Sequence, residues 1–170
     1  YGYSPEILQK KIDEPIDDLW KRLIKISDTL KQPYKDLVKN IVNLYKVKIQ
    51  TMPTSVNYHP VFGGYLKHMV TTSEISIEIL RYYPSLDGNL VLAGMLLHDI
   101  GKVQSINDNL VPGYTNEGKL IGHIVLGRDI VLETIKSMKD FPKEMLINLE
   151  YIMLSDSCRS IKGFSPIPDF

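Results

Sequence analysis

The sequence predicts an all-α domain, a helical bundle carrying one small β-hairpin near residues 103–115. Three observations lead there. Apolar residues recur at steps of three and four through most of the chain, which is the period of helices with one buried face. Proline and glycine punctuate those runs where helices should start or stop. One stretch departs from this rhythm, with Asn107-Asp108-Asn109 between short apolar runs, and it reads as the hairpin.

The elements follow in order. Ser4-Pro5-Glu6 reads as an N-cap with proline at the first helical position, opening a short helix through about Lys11. Asp13 and Pro15 repeat the signal, and Leu19, Trp20, Leu23, Ile24, Ile26 and Leu30 mark the apolar face of the next helix. After Gln32-Pro33, Leu37, Val38, Ile41, Val42, Leu44 and Tyr45 mark another, expected to run on and end before Pro53. Thr51 to Gly64 is rich in Pro, Thr, Ser, Asn and Gly and reads as a loop delivering His59. A long helix from Gly64 carries His68, with Leu66, Met69, Val70, Ile75, Ile79 and Leu80 apolar, and stops near Tyr83-Pro84. Asp87 or Ser85 then caps a helix from about Asn89 to Asp99 that is apolar nearly all round, the mark of a buried central helix. Gly101 is its expected stop. Leu120, Ile121, Ile124, Val125, Ile130, Val131 and Ile135 predict one helix from Gly118 bearing His123, and Pro142 to about Ser155 a last one.

A chain of 170 residues suits one domain with a real core, so residues 1–170 read as a single unit with scaffold helices in 1–50. Hydrophobic residues at 44% and charged residues at 24% exclude a disordered or fibrous chain. Twenty basic and twenty acidic side chains cancel, which excludes the global positive field of many nucleic-acid binders, so any polyanion must be met locally. The slight basic excess of the first fifty residues reads as solvated helix faces. No apolar run approaches the roughly 18 to 20 residues needed to cross a bilayer, and no signal pattern opens the chain, so a cytoplasmic protein without a membrane partner is expected. The single cysteine, Cys158, cannot form an internal disulfide and reads as a bystander.

All four histidines, His59, His68, His98 and His123, fall in the central stretch, which makes 51–170 the expected metal-site region. His98 and Asp99 stand side by side at the end of the most apolar helix. A charge buried there must be compensated. A divalent cation held by Asp99, His98 and His68 supplies that compensation. Mixed nitrogen and oxygen donors suit Mn, Fe, Zn, Ni or Co better than a calcium cage requires. Lys102, three residues past Asp99, is placed to meet a negative charge on a substrate, and Arg128, beyond His123 on the same expected helix, is read as a further phosphate contact. These features point to metal-assisted phosphate chemistry.

Three runs carry a family resemblance: Tyr58-His59-Pro60-Val61-Phe62-Gly63-Gly64-Tyr65-Leu66-Lys67-His68, Leu92-Ala93-Gly94-Met95-Leu96-Leu97-His98-Asp99-Ile100-Gly101-Lys102, and Tyr114 through Gly127. In this order the chain resembles the HD superfamily of metal-dependent phosphohydrolases, and within it the HD domain of YhaM-type 3'-to-5' exoribonucleases, from about Pro33 onward. The resemblance implies an HD-domain helical bundle. It also implies His68, His98 and Asp99 as ligands of a divalent ion (Mn, Fe, Ni, Co, Zn or Mg) and Lys102 as a basic residue for phosphate. His123 would serve a second ion or the leaving group, and His59 would lie near the pocket, where Gly63 and Gly64 let the backbone pass close to the site. Ser155-Asp156-Ser157-Cys158 stands where the family has Ser-His-His-Gly, leaving Asp156 as the candidate ligand there. The family's last metal aspartate follows a Ser-Pro segment like Ser165-Pro166, and this sequence ends at Phe170 without it. The exoribonucleases also carry a preceding OB domain, so a fragment of a longer protein is expected. The implied activity is hydrolysis of single-stranded nucleic acid from the 3' end by metal-activated water, with Asp99, Lys102 and His123 catalytic. The alternatives are a nucleotide phosphohydrolase and a non-catalytic regulatory HD domain that binds a nucleotide or a partner protein.

Overall fold

A computed structural model describes residues 11–56, 60–107, 109 and 111–155. The short helix expected from Ser4 lies outside them except for Lys11, as do His59, Asp156 and Cys158. Lys11 itself forms a parallel bridge with Phe62.

The described residues are all-helical, with α1 (Ile16–Thr29), α2 (Tyr34–Leu44), α3 (Lys46–Thr51), α4 (Gly64–Leu80), α5 (Gly88–Leu97), α6 (Lys102–Ser105), α7 (Asn116–Leu120), α8 (His123–Lys136) and α9 (Lys143–Ser155). Helix α1 buries Leu19, Leu23 and Ile26 on one side, as its three-and-four spacing dictates. Helix α2 does the same with Leu37, Val38, Ile41 and Val42. Helix α5 is the hub. Asp87 caps it, its carboxylate accepting from the Asn89 and Leu90 amides at 2.9 and 3.2 Å. It buries Leu92, Ala93, Gly94, Leu96 and Leu97 while packing on α4, α2 and α9. Tyr34 ties α2 to α9 by donating its hydroxyl to the Met145 carbonyl at 3.0 Å. No helix of the described residues is long and apolar enough to cross a membrane.

The chain departs from its sequence pattern in four places. The helix expected to continue from Leu37 to before Pro53 breaks at Tyr45, so α3 starts afresh and leaves Leu44 and Val47 exposed. The helix expected from Gly118 to Ile135 is two, because Gly122, at φ 85°, ends α7 and restarts the chain as α8. Leu120 and Ile121 are exposed in consequence, and their apolar spacing reflects no buried face. Ile75 and Ile79 of α4 are also exposed. Finally, the hairpin over 103–115 is absent as a strand pair among the described residues. Lys102–Ser105 is helical, and the only antiparallel pairing there is a single bridge between Ile106 and Tyr114, with the Asn107 amide donating to the Gly113 carbonyl. The return is held by side chains: the Asn107 carboxamide oxygen accepts from the Gly113 amide at 3.1 Å, and Thr115 donates to the Gln104 carbonyl at 3.0 Å.

Gly101 has a different reason from the one its sequence position suggests. It is not a left-handed stop, since its φ is −63°. A Cβ there would overlap the His123 carbonyl oxygen and the Gly127 amide nitrogen, so the turn after α5 lies directly against the first turn of α8. Gly101→Ala is therefore expected to destabilise the domain by about 2 kcal/mol or more through backbone overlap. Gly88→Ala, where the nearest atom is 3.5 Å away, should change stability by less than about 0.5 kcal/mol. Urea unfolding followed by circular dichroism compares the two.

Candidate metal centre

At the end of α5, helical bonding gives way to three-residue turns. The Ile100 amide donates to Leu97, Lys102 to Asp99 and Val103 to Ile100. Adjacent residues of a regular helix do not face each other. In this tightened turn His98 Nε2 comes within 3.4 Å of Asp99 Oδ2. Helix α4 brings His68 Nε2 to 3.5 Å from the same oxygen, and Lys102 Nζ reaches it at 2.5 Å. The first residue of α8, His123, places Nε2 3.4 Å from the other oxygen, Oδ1. Four cationic or imidazole groups from three segments thus surround one carboxylate that is almost wholly buried. Burial alone would raise the Asp99 pKa. The imidazoles of His123, His68 and His98 and the Lys102 ammonium outweigh it and hold the group far below the ordinary carboxylate range.

The surroundings of each ring differ. His98 Nδ1 lies 2.9 Å from the Met95 carbonyl. A carbonyl only accepts, so Nδ1 carries a proton and the contact fixes the orientation of the ring, with Nε2 turned toward Asp99. His68 Nε2 is buried and makes no hydrogen bond, lying 3.5 Å from Asp99 Oδ2. A buried nitrogen without a hydrogen bond, beside a carboxylate and a second imidazole, is the donor set a divalent cation completes. Ligand atoms of His68, His98 and Asp99 lie within 4.8 Å of one another, and they are the only such group among the described residues. Three protein donors, rather than the four of a closed structural site, leave coordination positions for water or substrate.

The HD domain family matches residues 65–159, more than half of the chain. The chain belongs to the HD domain family. Two relatives extend the likeness. The 3'-5' exoribonuclease YhaM of Shouchella clausii is 33% identical over 107 residues, 63% of this chain and 33% of the relative. The 3'-5' exoribonuclease YhaM of Bacillus velezensis is 28% identical over 156 residues, 91% of this chain and 49% of the relative. The chain thus spans between a third and a half of the length of these curated relatives. No solved structure matches it. His68, His98 and Asp99, the group that could hold a metal ion, all fall within the residues that match the HD domain family.

Of the residues singled out from the sequence, His68, His98, Asp99, Lys102 and His123 are brought together. His59 and Asp156 lie outside the described residues. Arg128 is turned elsewhere: its Nε donates to Glu150 at 2.6 Å, joining α8 to α9, so the guanidinium is occupied in the scaffold. Gly63 backs onto the Ile16 side chain of α1 rather than onto the imidazoles, and Gly64 rests against Thr54. Two neighbours went unread in the sequence. The Met95 carbonyl orients His98, and a backbone atom carries no sequence signal. Tyr65 is wholly buried with an unpartnered hydroxyl, and burial, then the Asp99 charge, push its phenol well above the ordinary range.

Asp99→Ala is expected to abolish binding of Mn2+ in titration calorimetry while helical circular dichroism persists. Arg128→Ala should leave Mn2+ affinity unchanged and cost about 1 kcal/mol in urea unfolding, the worth of one partly exposed ionic hydrogen bond.

Proposed function

We propose that this HD domain is a metal-dependent phosphohydrolase that removes nucleotides from the 3' end of single-stranded nucleic acid. The observation that carries the hydrolytic reading is the gathering of His68 and His98 imidazole nitrogens and the buried Asp99 carboxylate, with ligand atoms within 4.8 Å of one another. The exonucleolytic direction and the substrate rest on the two YhaM relatives, which are named as 3'-5' exoribonucleases. A divalent cation at His68, His98 and Asp99 supplies Lewis acidity toward a phosphoryl oxygen and lowers the pKa of water.

The chain's own groups do the rest. Asp99, kept ionised by its surroundings, and His98, kept in one tautomer by Met95, present fixed donors that need no reorganisation. Lys102, already drawn to Asp99 Oδ2, compensates negative charge as it grows on phosphate oxygens. His123, on the opposite carboxylate oxygen, holds a proton between Asp99 and the side from which α8 approaches, and delivers it to the departing oxygen. A second ion involving His123 or Asp156 belongs to this reading as well. One observation favours a smaller substrate: with twenty charges of each sign there is no overall basic field to track a strand. A nucleotide phosphohydrolase is the second reading.

The chain is expected to release mononucleotides from 5'-labelled single-stranded RNA in Mn2+, with EDTA abolishing release. Lys102→Met and His123→Ala should each lower kcat by roughly 10²-fold with the Mn2+ ion at His68, His98 and Asp99 retained. Hydrolysis of free nucleotides with RNA left intact moves the assignment to the second reading. Inertness toward RNA, single-stranded DNA and nucleotides in metal-loaded protein overturns both.

A further inference from the structure

The segment ahead of α1 lies against the start of the helix that carries His68. Lys11 forms a parallel bridge with Phe62, and the Ile12 amide donates to the Phe62 carbonyl at 3.3 Å. The Lys11 ammonium also stands 5.6 Å from the centre of the Phe62 ring. At the next residue, Gly63, φ is 78°, and α4 starts from this left-handed turn. A Cβ at Gly63 would overlap Ile16 Cδ1 and come within 3.1 Å of Ile12 Cδ1, so both isoleucines rest on the turn. They are partly buried against the core. From the other side the end of α3 holds the same turn, with the Gly63 and Tyr65 amides donating to the Thr51 and Met52 carbonyls at 3.2 Å each.

A charge network carries the contact further into α4. Glu14 Oε1 lies 3.1 Å from Nζ of Lys67, the residue before His68, and Glu14 Oε2 accepts from Arg22 Nη1 at 2.7 Å. Arg22, on α1, also donates from Nε and Nη2 to Glu74, two turns past Lys67, at 2.9 and 2.6 Å. One carboxylate of the segment thus ties α1 to α4 around His68. Each half-exposed pair contributes little by itself. Together with the apolar seat on Gly63, they fix where the first turns of α4 lie. His68 depends on that placement. Its ring meets the His98 ring edge-on, with centroids 5.7 Å apart, and its Nε2 makes no hydrogen bond. The 3.5 Å between that nitrogen and Asp99 Oδ2 therefore follows the position of the helix. Ile12 and His68 also line one and the same cavity.

We propose that residues 11–16 form a strap that positions His68, with Ile12 and Glu14 as positioning residues of the metal centre. The consequence for a metal rests on the metal-site reading above; the effect on the His68 ring does not. The test compares the unaltered chain with Glu14→Gln, with the double variant Ile12→Ala and Glu14→Ala, with Ile12→Val, and with the α8 scaffold variant Arg128→Ala. Mn2+ affinity is read by titration calorimetry. The His68 ring is read by NMR of isotope-labelled imidazoles in metal-free protein, its signal identified by its loss in His68→Gln. The double variant is expected to keep its helical circular dichroism, to shift the His68 signal and to bind Mn2+ about fivefold more weakly. Glu14→Gln, the milder change, should move both readouts the same way by less. Ile12→Val and Arg128→Ala should leave both as they are. A His68 signal that stays in place, Mn2+ affinity equal to that of the unaltered chain, or the same loss of affinity in Arg128→Ala overturns the strap. Absence of Mn2+ binding in the unaltered chain overturns the metal-site reading instead, and the His68 signal then decides by itself whether the strap holds the ring.

Discussion

A carboxylate taken out of water costs several kcal/mol unless charge and hydrogen bonds replace its solvation, and Asp99 is such a carboxylate. Its place at the end of the most apolar helix obliges the fold to bring compensation from elsewhere in the chain. Helix α4 supplies His68, the turn after α5 supplies His98 and Lys102, and α8 supplies His123. The packing of these segments is thus also the assembly of the site. The imidazoles and Lys102 keep the group ionised in a place where burial alone would raise its pKa. A carboxylate held in that state can serve a cation without first having to lose a proton.

The second constraint is the contact of the turn after α5 with the start of α8. Gly101 lets two backbones meet where any side chain would separate them, and this sets how far His123 stands from Asp99. The Arg128 to Glu150 pair, one turn along α8, holds the same helix to α9. Helix α9 in turn packs on α5, where the Ile152 side chain lies against Gly94. A charged residue that looks available on a helix therefore belongs to the framework that presents the site, and two glycines matter for the atoms that press on them.

Much of this was legible beforehand. The amphipathic period of α1, that of the first part of the next helix and the uniform apolarity of α5 are local or pattern properties that became helices, and Asp87 is the one of the two expected caps that binds. The candidate cluster was legible for the same reason: imidazole and carboxylate at the end of a buried helix demand partners. Elsewhere the pattern misled. Leu44 and Val47 continue an apolar run across Tyr45, yet the chain breaks there and both are exposed. The apolar period through Leu120 and Ile121 crosses Gly122, whose positive φ interrupts the helix. The segment read as a hairpin has one antiparallel bridge among the described residues, and there the Asn107 and Thr115 side chains bind backbone groups.

By itself the sequence determined an all-helical domain of the HD family and the side chains of its metal-capable cluster. Those follow from period, punctuation and the cost of burying a charge, all of which act along the chain or on one residue. The tertiary structure alone decided that His68 Nε2 is left without a partner, that the Met95 carbonyl sets the His98 tautomer, and that Arg128 faces Glu150. Each of these depends on the distance between atoms of different segments or on a backbone group common to every residue type, and neither is encoded in the identity of a single position.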